Sequence, residues 1–202
     1  MKRCVIVGAG EILPGDLPEK APGEFWIAAD GGMKALAARG VSPDLFLGDL
    51  DSLDSQPEGV PARILPVRKD DTDSAAAVKA GLERGFSDFL LLGALGGKRL
   101  SHTAANFQLL LFLKLHGASG EMRCGCTRVT CLAAGETETF SRPGGFFSLF
   151  AAGGDAVVSI RGALFSGENL SLSPSFPLGV SNEGSEKTTV VVQEGAVYLV
   201  FD

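Results

Sequence analysis

Residues 88–117 read DFLLLGALGGKRLSHTAANFQLLLFLKLHG. The segment opens on a short apolar run of the kind found in buried strands, and that run ends at Gly93. A glycine-rich loop follows, and a long amphipathic pattern then predicts a helix that ends at Gly117. A buried strand, a loop and a covering helix in this order are typical of a parallel sheet packed under helices.

The same alternation of strands and helices extends back to the N-terminus. Four earlier strands are predicted, in RCVIVGAG, FWIAADGG, DLFLGDLDS and ARILPV. Two earlier helices are predicted, in MKALAARG and DTDSAAAVKAGLERG, each with glycine at its end. This half of the chain therefore predicts a mostly parallel sheet flanked by helices.

The pattern changes near Gly120. From there to the C-terminus, short β-type runs alternate with glycine, proline and serine turns, without a helical pattern of useful length. Such spacing indicates an antiparallel sandwich or barrel-like domain. We therefore predict an α/β fold with two domains: an α/β catalytic domain over residues 1–119, and a C-terminal all-β sandwich domain over residues 120–202.

Composition excludes several classes of partner. The chain has 202 residues, a net charge of -6, a pI near 5.0 and a mean hydropathy of +0.21. The acidic balance argues against binding a nucleic-acid backbone. The apolar runs are too short or too interrupted to span a membrane, and the start is interpreted as a first strand instead of a secretory signal. We therefore expect a cytoplasmic protein with neither nucleic acid nor membrane as a partner.

Aspartates concentrate where the strands of the first domain end. Eight of the twelve fall within residues 30–73, after three successive predicted strands. The carboxyl ends of parallel strands meet at one edge, where ligands bind. Carboxylates gathered there repel one another unless a cation binds, and magnesium is held by one or two carboxylates together with phosphate oxygens. The pattern predicts a magnesium–polyphosphate site. The acids concerned are Asp30, Asp49, Asp51, Asp70 and Asp73.

The glycine-rich loop of residues 93–102 supplies the complementary charge. Glycines let a backbone approach a phosphate closely, and Lys98 and Arg99 can neutralise it. The helix that follows would point its N-terminal amides toward the same phosphate. Asp71, by contrast, is interpreted as a helix-start acid that interacts with the helix dipole.

Four motifs, in order, resemble those of the thiamine pyrophosphokinase (thiamine diphosphokinase) family. They are ADGG, SPDLFLGDLDS, KDDTD and GALGGKRLSHTAANFQLL. The resemblance is dense over residues 25–115, and the SN pair of GVSNEG matches a later element of the family. It implies a Mg²⁺-dependent transfer of the pyrophosphoryl group of ATP, the co-substrate, to the hydroxyl of thiamine. The products would be thiamine diphosphate and AMP.

The resemblance and the loop cations together give a set of candidate site residues. The acids expected to be catalytic and to hold magnesium are Asp49, Asp51, Asp70 and Asp73. The residues expected to bind ATP are Asp30, Gly31, Ser52, Lys69, Thr72, Gly96, Gly97, Lys98, Arg99 and His102. Thiamine is expected to meet Ser181 and Asn182. The resemblance also implies a homodimer, with thiamine bound between the α/β domain of one subunit and the β domain of the other.

Two alternatives stay open from the residues themselves. An aspartyl-nucleophile phosphatase or phosphotransferase is suggested by LFLGDLDSL, a strand followed by D-x-D, but it leaves ADGG and KDDTD unexplained. A non-catalytic ATP- or thiamine-binding protein on the same scaffold is suggested by Ser101, which stands where the family usually has aspartate. Whether Asp51 or Asp73 accepts the hydroxyl proton is also left open.

Overall fold

The chain folds into two compact units, Met1–Gly125 and Cys126–Asp202. The structure is a computed structural model and describes residues 2–49, 59–66 and 70–202. Parallel strands with helices form the first unit, and antiparallel, sandwich-like strands form the second. This confirms the predicted fold class. In the part of the chain that the structure describes, no helix is long and apolar enough to cross a membrane.

The first unit is built on a parallel sheet. Its strands are β1 (Arg3–Val7), β2 (Phe25–Ala29), β3 (Leu45–Gly48), β4 (Ala62–Ile64), β5 (Asp88–Leu92) and β6 (Ser119–Cys124). Its helices are α1 (Gly32–Ala37), α2 (Asp73–Glu83) and α3 (Leu100–Leu115). The strands lie in the order β6-β5-β1-β2-β3-β4, and each neighbouring pair is parallel.

The strand order reverses beside β1. The chain proceeds from β1 through β2 and β3 on one side, whereas β5 and β6 lie on the other. Val7, the last residue of β1, pairs with Ala28 of β2 and with Leu92 of β5, so the three strands end at about the same level. The crevice beyond the carboxyl ends of β1 and β5 is therefore a topological switch point, the usual ligand site of open α/β sheets.

Small residues allow α2 to pack closely on the sheet. Its buried positions are Ala77, Val78, Ala80 and Gly81. A Cβ atom on Gly81 would lie 2.5 Å from the ring of Phe89 on β5, so a larger residue would push the helix away. The strands β1, β2 and β5 are buried after their first residue because they are covered on both faces, as expected of a parallel sheet.

The second unit is antiparallel throughout. Its strands are β7 (Thr127–Ala133), β8 (Thr137–Phe140), β9 (Phe146–Ala151), β10 (Ala156–Ala163), β11 (Gly167–Leu172), β12 (Gly179–Glu194) and β13 (Ala196–Phe201). The first part of β12 pairs with β9. The strand β9 also pairs with β13, and β13 pairs with β7. The second part of β12 pairs with β8 and β10. Val190 of the second part packs with Phe147 of β9 and Leu199 of β13 in one apolar core.

Three features differ from the sequence-based expectation. The first unit ends at Gly125, not after residue 119, because β6 pairs in parallel with β5. The strand β11 was not anticipated. The strand β12 begins at Gly179, well before its predicted apolar part, because the polar stretch VSNEG pairs with β9, with an irregularity between Gly179 and Asn182. That stretch has the composition of a turn, so only its tertiary partner makes it a strand.

Candidate active site

A cavity of about 800 Å³ lies at the switch point of the first unit. This volume is within the range of pockets that hold small molecules. Its lining comes from the segments after β1, β2 and β5 and from the starts of α2 and α3. Six residues predicted from the sequence line it together: Gly31, Gly96, Gly97, Lys98, Arg99 and His102.

Two glycine loops form one wall of this cavity. The N–H of Gly8 donates to the carbonyl of Leu92 at 2.8 Å, and the N–H of Gly10 donates to the carbonyl of Gly93 at 2.8 Å. A Cβ atom on Gly10 would lie 2.4 Å from the Gly93 oxygen, a distance that no side chain permits. The loops after β1 and β5 therefore touch backbone to backbone, and the glycines are required by that contact.

The backbone of the loop after β5 depends on its glycines. Gly93, Gly96 and Gly97 have φ values of 61°, 65° and 86°, in the left-handed region that favours glycine. The hydroxyl of Thr103, in the first turn of α3, donates to the carbonyl of Gly96 at 3.2 Å. Lys98 and Arg99 directly follow this turn, and both side chains are exposed.

Asn106 holds the same loop by a hydrogen bond, a role that the sequence did not predict. It lies on α3, only 6% exposed, and its Nδ2 donates to the carbonyl of Ala94 at 2.7 Å. Ala94 is itself buried. A buried carbonyl needs a hydrogen-bond partner, so Asn106 is the residue that allows this loop to enter the interior. An asparagine within a helix gives no local signal of such a role.

We expect Asn106→Ala to lower the free energy of unfolding by about 1–3 kcal/mol, because the Ala94 carbonyl would stay buried without its donor. Urea denaturation followed by circular dichroism measures the change. Gln108→Ala, at an exposed position of the same helix, is the matched control and should change stability by less than about 0.5 kcal/mol. Equal effects of the two substitutions would contradict the assigned role.

Two predicted acids lie at adjoining strand ends. Asp30 follows β2 with a φ of 47°, and its N–H donates to the carbonyl of Leu47 at 2.7 Å. A Cβ atom on Gly48 would lie 3.1 Å from the Cα of Asp30, so the ends of β2 and β3 are in close contact. Asp49 is the next residue, and both aspartates are half-buried. The sheet thus places two aspartates that are distant in sequence at neighbouring strand ends.

The other predicted acids lie around the start of α2. Thr72 is the N-cap, and its hydroxyl accepts a hydrogen bond from the N–H of Ala75 at 3.1 Å. Asp73 is the first helical residue, and the following Ser74 lines the cavity. Asp70 is exposed ahead of the helix. Asp71 forms an ion pair with Lys79 at 2.7 Å, which agrees with a structural role.

The predicted metal site is only partly within the described residues. The predicted Asp51, Ser52 and Lys69 lie outside them. Within residues 2–49, 59–66 and 70–202, no group of three or more acidic, histidine or cysteine residues is arranged to hold a metal ion. Magnesium needs only one or two carboxylates when phosphates and water supply the other oxygens. Half-buried carboxylates at adjoining strand ends are donors of that kind.

Two charged residues of the cavity were missed in the sequence. Lys34 lies on α1, two residues after the ADGG motif, and Glu11 directly follows VGAG. From the sequence, Glu11 is predicted only to follow a strand end, and Lys34 only to belong to a helix. Glu11 follows β1, which ends at the switch point, and Lys34 lies on α1. These positions are the signal that could have identified them.

The predicted thiamine contacts lie in the second unit, on β12. Ser181 has a φ of 58°, and its N–H donates to the hydroxyl of Ser148 at 3.0 Å. The amide of Asn182 is engaged at both ends: its Oδ1 accepts from the N–H of Phe165 at 3.0 Å, and its Nδ2 donates to the carbonyl of Phe165 at 2.8 Å. Asn182 therefore holds the turn that carries the exposed Phe165 ring.

Comparison with known proteins agrees with this architecture. Residues 20–119 match the family model described as thiamin pyrophosphokinase, catalytic domain. A solved thiamine pyrophosphokinase from Bacillus subtilis shares the fold with a TM-score of 0.87 at 20% identity, over 100% of this chain and 99% of that one. A thiamin pyrophosphokinase from Geobacillus thermodenitrificans gives 0.83 at 25% identity, over 99% and 97%. One from Candida albicans gives 0.78 at 14% identity, over 98% and 89%. A search of curated proteins found no match.

Proposed function

Because this chain belongs, through residues 20–119, to the thiamin pyrophosphokinase family, we propose that it transfers the pyrophosphoryl group of ATP to the hydroxyl of thiamine. The products are thiamine diphosphate and AMP. The observation that carries this proposal is the cavity at the switch point, where glycine backbone and cations lie next to acidic strand ends. That combination suits a polyphosphate.

The cavity accounts for the phosphate contacts. The backbones of Gly31, Gly96 and Gly97 admit the phosphates closely, while Lys98, Arg99 and His102 line the same space. Arginine and lysine form charge-assisted hydrogen bonds with phosphate oxygens. Of the remaining proposed ATP-binding residues, Asp30 precedes the lining residue Gly31, and Thr72 lies two residues before the lining residue Ser74. Ser52 and Lys69 belong to the segments outside the described residues.

Magnesium would be held by Asp49, Asp51, Asp70 and Asp73, with Asp30 next to Asp49. The hard carboxylate oxygens of this set fit the ion. When bound, it supplies positive charge that neutralises the triphosphate.

The protein's own contribution is positioning and electrostatic stabilisation. The thiamine oxygen attacks the β-phosphorus of ATP and forms a new P–O bond. The bond from that phosphorus to the oxygen bridging the α- and β-phosphates breaks, and AMP leaves with the electron pair. The hydroxyl proton passes to a carboxylate of the site or to water. The cations of the loop after β5 stabilise the charge on the transferred group.

In the second unit, we propose that Ser181 and Asn182 shape the thiamine site, with Asn182 acting through the Phe165 turn that it holds. We also propose a homodimer. Large apolar side chains that are 46–67% exposed gather around the first part of β12, and such a patch is typical of an interface. They are Phe146, Leu164, Phe165, Phe176, Leu178 and Val180.

The proposed compartment is the cytoplasm. The four cysteines are free thiols, as is usual for proteins of a reducing compartment. Nucleic acid and membranes are not among the proposed partners, which are ATP and thiamine.

We expect the purified protein to form AMP and thiamine diphosphate in equal amounts from ATP, magnesium and thiamine. Chromatography that resolves both products and ADP measures the outcome. Omission of thiamine and chelation of magnesium are the controls, and each should abolish product. ADP or free phosphate in place of AMP would indicate different chemistry, and ATP binding without any AMP would identify a binding protein.

A further inference from the structure

Glu11 is an acid in a cavity that is otherwise cationic. Of the described residues that line the cavity, Glu11 alone carries negative charge, whereas Lys34, Lys98 and Arg99 carry positive charge. It lies outside the residues that match the family model. Glu11 is not among the acids proposed to hold magnesium, and a carboxylate without a cation repels phosphates, so we expect a different part of the ligand next to it.

The backbone fixes Glu11 at this place. Its N–H donates to the carbonyl of Leu95 at 3.3 Å, and the preceding Gly10 is hydrogen-bonded to Gly93. Its carboxylate lies against the loop after β5: a Cβ atom on Gly96 would be 2.9 Å from Oε2 of Glu11. The loops after β1 and β5 are hydrogen-bonded to each other, and the Glu11 side chain lies against the second of them at the cavity wall.

The carboxylate of Glu11 remains available to a ligand. The side chain is exposed, and no hydrogen bond or ion pair to it occurs within the described residues. An ionised carboxylate accepts hydrogen bonds only, so it selects a ligand with hydroxyl or amino donors. We expect the phosphates of a nucleoside triphosphate to bind to the glycines and cations of the cavity. The adjacent sugar carries two vicinal hydroxyl donors.

We propose that Glu11 accepts hydrogen bonds from the ribose hydroxyls of the nucleotide and makes the site prefer ribonucleotides to 2′-deoxyribonucleotides. This inference rests on the proposed function, because it takes a nucleoside triphosphate as the ligand. Dinucleotide-binding folds also use an acid for ribose, but about 20 residues beyond the first glycine loop. Here the acid belongs to the first glycine loop itself. A site that hydrogen-bonds a hydroxyl discriminates strongly against a ligand that lacks it.

Calorimetric titration with ATP and with 2′-deoxy-ATP, in magnesium and without thiamine, tests the proposal. We expect the wild-type protein to bind ATP about tenfold to a hundredfold more tightly than 2′-deoxy-ATP, as a hydrogen bond to a charged group allows. Glu11→Ala should reduce this ratio to less than about twofold, chiefly by weakening ATP. Glu83→Ala, at an exposed surface acid paired with Arg63, is the matched control and should keep the wild-type ratio.

The outcomes separate this inference from the proposed function. A wild-type protein that forms AMP but binds both nucleotides equally would overturn the role of Glu11 and leave the proposed function intact. A ratio that Glu11→Ala leaves unchanged, in a variant with the wild-type melting temperature, would also overturn it. If ATP does not bind at all, the proposed function and the inference both fail.

Discussion

Asp49→Asn should reduce the rate of AMP and thiamine diphosphate formation by about a hundredfold to a thousandfold, the usual effect of removing one preorganised electrostatic contact in an active site. The substitution keeps the shape of the side chain and removes its charge at the end of β3, next to Asp30. Asparagine is a much weaker magnesium ligand than aspartate because it carries no charge. Initial rates at saturating ATP, measured over a range of magnesium concentrations, give the effect.

The matched control for Asp49→Asn is Asp71→Asn. Asp71 belongs to the same acid-rich region but forms an ion pair with Lys79 on the exposed side of α2. Its loss should change the rate by less than about twofold, since exposed ion pairs contribute little. A fall of less than tenfold in a folded Asp49→Asn variant would contradict the proposed role. A phosphorylated Asp49 recovered after acid quench would instead favour the aspartyl-nucleophile alternative.

Gly10→Ala should weaken ATP binding at least about tenfold and lower the free energy of unfolding by about 1–3 kcal/mol. The added methyl group would lie 2.4 Å from the carbonyl oxygen of Gly93 and 3.2 Å from that of Leu95. Both neighbours are backbone atoms, so no side chain can move aside. The loops after β1 and β5 would have to separate, which would displace the cavity wall.

Titration with ATP and urea denaturation measure the two effects of Gly10→Ala. Gly154→Ala is the matched control: its φ is ordinary, and a Cβ atom there would meet nothing within 4 Å. That variant should match the wild type in both measurements. A Gly10→Ala protein with unchanged stability and unchanged ATP affinity would show that the two loops are not held together in solution.

Much of the fold could be predicted from the sequence because the strongest signals are local. Apolar runs that end in glycine predicted β1, β2, β3 and β5, and the amphipathic pattern of residues 100–115 predicted α3. Trp26 is fully buried in β2, as its apolar surroundings indicate. The convergence of strand ends follows from a general rule for parallel sheets, so the glycine loop and its cations could be placed at the edge where ligands bind.

The rest depends on partners that are distant in sequence. Nothing near Asn106 indicates that its amide meets the Ala94 carbonyl, and nothing near Asn182 indicates that it holds Phe165. Polar residues at the start of β12 resemble a turn until β9 pairs with them. Each of these features depends on a contact between residues that are distant in sequence.

The cavity likewise combines features that are local in the sequence with features that depend on distant contacts. The segments that end in glycine and acid can be located in the sequence, because strand and helix periodicities are properties of neighbouring residues. That Glu11 and Lys34 line the same cavity as the loop after β5 is visible only in the folded chain. Strand order and register set which loops meet, and they result from packing over the whole sheet, which no local pattern encodes.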